Sequence, residues 1–220
     1  MKISIPIFLF LLMIFSCKQK KDQVYIEPTK HFSIPTNIKY WKNFKEIYIN
    51  DSIKKVSGNF KNYKVNGFFN NRGQKINWWK IENTDLNKKE KNVRLEYRII
   101  DDREFVNQFI YYDSKGDYVN NSMFFLKQKL DKNILVFTFY TPRENIEMNH
   151  NGQFEYFLFE NGKEIKSELI DCDQKGNVFY ANVNIPNKKD IILKGVFWET
   201  NRDSEGRVGG NDIYVIDTLK

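Results

Sequence analysis

The feature that most constrains this chain is its punctuation. Past Asn50, short apolar segments rich in Ile, Val, Phe and Tyr alternate with turn signals through to the end. Three turns share one formula. Asp113-Ser114-Lys115-Gly116, Asp173-Gln174-Lys175-Gly176 and Asp203-Ser204-Glu205-Gly206 place Asp first and Gly fourth, as a type I turn prefers. Asn66-Gly67, Asn71-Arg72-Gly73, Asn151-Gly152 and Asn161-Gly162 add residues that tolerate positive φ in tight hairpins. With a single Ala (Ala181) and 19 Phe, the chain is biased to strands over helices.

The strand signals fall into two parts. Residues 35–129 read as an antiparallel hairpin or meander module, and residues 130–220 as a small β-sandwich-like module. The second part holds six longer runs: Ile134–Tyr140, Phe154–Phe159, Ile165–Leu169, Val178–Ile185, Ile191–Trp198 and Ile213–Leu219. In Val178–Ile185 the alternation of Phe179, Ala181, Val183 and Ile185 with polar neighbours sends one face inward. Ile134-Leu135-Val136-Phe137 and Ile191-Ile192-Leu193 lack alternation and predict strands covered on both faces. The division between the parts is expected at Lys127–Lys132, where apolar content falls. Gly209-Gly210-Asn211 reads as a flexible turn into the last strand. The expected fold class is therefore all-β with at most one short helix. That helix is expected between Thr36 and Ile47, where Ile38, Trp41, Phe44 and Ile47 recur at threes after Pro35-Thr36-Asn37, with Trp41 and Phe44 as buried anchors.

The first residues carry a different message. One Lys precedes the apolar run Ile3–Phe15, too short for a permanent membrane span and the right length for a secretory h-region, so residues 1–16 read as a signal peptide. The run ends in Ile14-Phe15-Ser16-Cys17. This resembles the lipobox of bacterial lipoproteins. The resemblance implies that Cys17 receives diacylglycerol, becomes the new N-terminus and is then N-acylated; several acyl chains give stable anchoring where one is marginal. Residues 17–34 would follow as a tether, beginning with the polar stretch Lys18-Gln19-Lys20-Lys21-Asp22-Gln23. Because that stretch is basic rather than acidic, the expected location is the cell envelope, lipid-anchored in the outer membrane and facing the periplasm.

A second resemblance lies between Val56 and Leu126. Gly58, Asn66-Gly67 and Gly73 precede Trp78-Trp79-Lys80, followed by Leu95-Glu96-Tyr97 and Asn107-Gln108-Phe109-Ile110-Tyr111-Tyr112-Asp113. The cadence is similar to degenerate MORN-type repeats, in which each unit forms a hairpin and successive hairpins stack into one sheet. It implies a surface for protein contact or a spacer, and no reaction.

Candidates for chemistry are few. The two histidines, His31 and His150, are far apart in sequence and read as exposed turn residues, without zinc spacing or a nucleophile beside them. Cys172 lies between Asp171 and Asp173, an acidic setting that suppresses thiolate chemistry, and a thiol in an oxidising compartment survives best when buried. Asp171-Cys172-Asp173-Gln174-Lys175-Gly176 begins like a calcium loop, but Lys175 and Asn182 stand where positions five and twelve need oxygen ligands. Asp101-Asp102 and the pair Glu155 and Glu160 are the acids a glycosidase would require, yet adjacent strand residues face opposite ways. No phosphate loop or dinucleotide fingerprint occurs. The formal charge of +7 comes mostly from Lys scattered among acids, a pattern unlike specific nucleic-acid readers. The sequence thus predicts no catalytic, cofactor or metal site. It predicts a membrane contact through the lipid on Cys17 and a protein partner for a β surface. The alternative is a small-molecule or lipid carrier with an apolar cavity between sheets.

Overall fold

The computed structural model describes residues 28–85, 92–142, 149–187, 190–202 and 208–219. The fold is all-β. A one-turn helix α1 (Pro28–His31) and a 3-10 turn (Ile38–Tyr40) precede six strands that pair antiparallel in sequence order. These are β1 (Lys42–Asn50), β2 (Ile53–Phe60), β3 (Tyr63–Asn70), β4 (Lys75–Asn83), β5 (Asn92–Ile100) and β6 (Arg103–Tyr112).

The helix expected over Thr36–Ile47 is corrected by this architecture. The start signal is real: Asn37 Oδ1 accepts from the Lys39 N–H at 3.0 Å and caps the 3-10 turn. The turn stops at Tyr40 because Trp41 goes extended and Asn43 adopts a φ of +54°. From there the chain is β-branched and aromatic, Ile47-Tyr48-Ile49, and Ile47 and Tyr48 pair with Lys55 and Lys54 of β2. Trp41 is buried, its indole N–H donating to the Pro35 carbonyl at 2.8 Å, whereas Phe44 is 40% exposed.

One face of the six-stranded sheet is apolar. It carries Val56, Val65, Trp79, Leu95, Tyr97 and Val106, and Phe32, Thr36 and Trp41 of the preceding segment cover it. Thr36 Oγ1 lies 3.1 Å from the Tyr97 hydroxyl, and the Trp79 indole meets Trp41, Phe69 and Tyr97 edge-on. Trp79 fits only because residue 67 is glycine. A Cβ there would stand 2.0 Å from Trp79 Cδ2, so Asn66-Gly67 is part of β3 rather than a hairpin tip. Asn151-Gly152 is corrected for the same reason: Gly152 lies inside a strand, under Phe179 at 2.4 Å from a built Cβ. Real tips occur at Asn71-Arg72-Gly73, at Asp101-Asp102 with φ of +49° and +59°, and at Asn161-Gly162.

The chain then crosses into two four-stranded sheets through Asp113-Ser114-Lys115-Gly116. There Asp113 Oδ1 accepts from the Lys115 and Asp117 N–H groups and Gly116 has a φ of +89°. The remaining strands are β7 (Phe124–Asp131), β8 (Ile134–Tyr140), β9 (Asn149–Glu160), β10 (Lys163–Asp171), β11 (Asp173–Lys175), β12 (Val178–Asn184), β13 (Ile191–Arg202) and β14 (Val208–Leu219). Their orders are β10-β9-β13-β14 and β11-β12-β8-β7, all antiparallel. Lys127–Lys132 is therefore strand and hairpin tip within the β7–β8 pair. The second Asp-x-x-Gly turn is displaced: Asp173 opens β11, and the tip is Gly176-Asn177, with Lys175 opposite Val178. Gly209-Gly210-Asn211 is strand as well. The third formula, Asp203–Gly206, lies outside the described residues.

Between these sheets sits an aromatic core. Phe137, Phe139, Phe154, Phe179 and Phe197 are fully buried; Phe139 and Phe197 stack at 4.2 Å, and Phe154 meets Phe139 at 5.0 Å. The non-alternating runs are covered on one face only. Leu135, Phe137 and Phe139 of β8, and Ile191 and Leu193 of β13, point inward, while Ile192 is 36% exposed. Side chains join the two parts. The Asn107 amide donates to the Tyr214 carbonyl at 2.9 Å, and the Tyr214 N–H donates to Asn107 Oδ1 at 2.7 Å. This is one rung of a β-ladder made by a side chain.

Candidate functional site

The sequence candidates are dispersed over the fold. Cys17 lies outside the described residues. His31 ends α1, exposed, with its ring edge-on to Phe32. His150 is in β9, opposite Asn201, and not in a turn. Asp102 pairs with Arg72 at 2.9 Å across hairpin tips. Glu155 and Glu160 are five residues apart on one regular strand, so they point to opposite faces and share no cleft. Asp171 accepts from the Gln153 amide at 2.6 Å. Cys172 joins β10 to β11, half-buried, with its thiol pushed up to about 12 by burial, then by Asp171 and Asp173. Among the described residues no three of His, Cys, Asp or Glu converge on a point.

Buried hydroxyls show the same insulation. Burial holds the Tyr97 phenol well above its ordinary range and pushes Tyr111 up to about 12. On β10, Glu168 is lowered chiefly by hydrogen bonds from Lys166 and then Tyr156.

What the fold does assemble is a groove of about 650 Å³ on the outer face of the six-stranded sheet. Strand alternation builds it. Trp79 goes to the core, so its neighbours Trp78 and Lys80 go outward; Leu95 goes in, so Arg94 goes out. The groove is lined by Lys55, Phe68, Trp78, Lys80, Arg94 and Tyr112, with the Glu82 carboxylate and the amides of Asn66 and Asn92 between them. Register aligns Asn66, Lys80, Arg94 and Ile110 as direct cross-strand neighbours on β3 to β6. Lys80 binds Glu82 at 2.7 Å, and the Arg94 guanidinium rests over the Trp78 ring at 4.8 Å.

At one end the same face is closed by a polar cluster. Glu96 accepts from Arg98 at 2.9 and 3.1 Å and from Asn107 and Gln108, against the backbone of Tyr214. Trp78 and Lys80 were visible in the sequence as part of the aromatic cadence. Lys55, Phe68 and Arg94 were not singled out there. Period-two alternation around Val56, Phe69 and Leu95 is the signal that places them outward.

No family model and no curated protein matches the chain.

Proposed function

We propose that this chain is a non-catalytic, lipid-anchored protein of the bacterial cell envelope, held through Cys17, that presents a β surface to a protein partner. The observation that carries the reading is the outer groove, where Phe68, Trp78 and Tyr112 lie among Lys55, Lys80 and Arg94 on one sheet face. Rings and Arg are the side chains that dominate recognition surfaces, the rings through large rigid contact area and Arg through its planar set of donors. The lipobox-like Ile14-Phe15-Ser16-Cys17 motivates the anchor, and the hairpin cadence of residues 56–126 motivates a MORN-like contact role for the first sheet. Outer-membrane placement facing the periplasm follows from the basic residues after Cys17.

The carrier alternative is the weaker reading. The space between the two smaller sheets is filled by Phe137, Phe139, Phe154, Phe179 and Phe197 in mutual contact, and the groove of ligand size is open and on an outer face. The test is affinity capture from detergent-solubilised envelopes with a C-terminal tag. Recovery of a specific protein by the wild type supports the reading; recovery of nothing above a Cys17→Ser control contradicts it.

A further inference from the structure

The outer groove holds an arrangement that folding alone does not reward. Lys80 and Arg94 are directly opposite each other on β4 and β5, and like charges in that position destabilise a sheet. Glu82 answers Lys80, at 2.7 Å, while Arg94 and Lys55 have no carboxylate partner among the described residues. Among the described residues the groove therefore keeps two cations without a carboxylate partner, on β2 and β5, at either side of a strip of rings and amides.

Arg94 is also held in place. Its guanidinium carbon lies 4.8 Å from the centre of the Trp78 ring while the residue remains exposed, so a cation–π contact holds the charged group beside the indole at the open face of the groove. A flat guanidinium fork matches a carboxylate through two parallel hydrogen bonds. Beside Arg94, Phe68 and Tyr112 are placed to meet apolar side chains and Asn66 to meet backbone amides, the Asn92 side-chain carbonyl already accepting from the Asn83 N–H at 2.7 Å.

We propose that this groove is a carboxylate-reading site that binds an acidic peptide segment, with Arg94 as the bidentate anchor and Lys55 as the flanking charge. The proposal rests on the interaction reading above and names the chemistry of its partner. Its size suits a few residues of extended peptide.

The test uses the full detergent-solubilised chain and a fluorescein-labelled hexaglutamate peptide, read by fluorescence polarisation at low salt. Binding is expected for the wild type and absent with hexaglutamine. Arg94→Gln should weaken hexaglutamate binding about tenfold, and Arg94→Lys should not restore it, because a point charge lacks the fork. Lys163→Gln, an exposed charge removed from β10 on the other part of the fold, should leave binding unchanged. The melting temperature of Arg94→Gln should not fall, since the substitution also relieves the Lys80 contact. Equal affinity in Arg94→Gln and wild type, or equal losses in Arg94→Gln and Lys163→Gln, would overturn the site. Tighter binding of a hexagalacturonate oligosaccharide than of hexaglutamate would overturn the peptide assignment. If the wild type captures an envelope protein that Arg94→Gln captures equally well, the groove proposal fails and the interaction reading stands. If the wild type captures none, that reading fails whatever hexaglutamate does.

Discussion

Asn107→Ala is the perturbation that most sharply tests how the two parts of the fold are held together. Asn107 is fully buried and makes three contacts: to the Tyr214 carbonyl, from the Tyr214 N–H, and to Glu96. Alanine removes all three and fills none of the space. A buried polar group left unpaired costs about 1–3 kcal/mol, and because Tyr214 is only half-buried, water can recover part of that loss. A net destabilisation of about 3 kcal/mol follows, which for a chain of this size lowers the melting temperature by about 6–12 °C. Asn107→Asp should cost at least as much, since it keeps the acceptor for the Tyr214 N–H but sets a carboxylate against Glu96. Thermal melts followed by circular dichroism give the stability, and hydrogen exchange at the Tyr214 amide gives the local readout. Asn182→Ala, on the exposed side of β12, serves as a control within about 0.5 kcal/mol of wild type. A melting temperature within 2 °C of wild type, by the same size rule, with Tyr214 exchange unchanged would refute the reasoning.

Gly67→Ala should destabilise strongly, by about 3 kcal/mol or more, because its methyl would enter the Trp79 ring, and urea denaturation would show it as a lowered midpoint with an unchanged slope. Trp79→Ala should cost about 3–5 kcal/mol in the same assay. The Cys172 thiol, raised to about 12 by burial and its flanking aspartates, should have a thiolate fraction of about 10⁻⁴ at pH 8 and react with a disulfide reagent only after unfolding. The sign of its pH effect is set by the same shift. The folded thiol stays protonated while the unfolded one ionises near its ordinary value, so stability should decline as pH rises from about 9 toward 12, and less so in Cys172→Ser. Cells grown with labelled palmitate should label the wild-type chain and leave Cys17→Ser unlabelled.

The limits of reading the sequence follow from particular residues. All six long runs of residues 130–220 are strands, because Val, Ile and aromatic density outweighs every helical tendency there. Asp113-Ser114-Lys115-Gly116 is a turn because its Asp satisfies local N–H groups without help from the rest of the fold. Asn66-Gly67 and Asn151-Gly152 look equally turn-like, yet their glycines serve rings from distant strands, Trp79 and Phe179, and nothing local reports such contacts. The threefold spacing of Ile38, Trp41, Phe44 and Ile47 suggested helix, but pairing with β2 rewarded the β-branched residues more than one isolated helical face could. The groove was the least legible feature. Trp78 and Lys80 are adjacent in any reading, but the opposition of Lys80 to Arg94 is a matter of register, which bulges such as the one at Asn66–Phe68 fix only in the folded sheet.

The central claim is that the outer face of the first sheet is where this protein meets its partner. Photo-crosslinking in living cells tests it most directly, with p-benzoylphenylalanine placed at Phe68 in the groove or at Leu169 on the exposed side of β10. A discrete crosslinked protein is expected from position 68, absent from position 169 and lost when Arg94→Gln is added. Crosslinking from position 169 alone, or from neither position in an otherwise folded and palmitate-labelled chain, would contradict that claim.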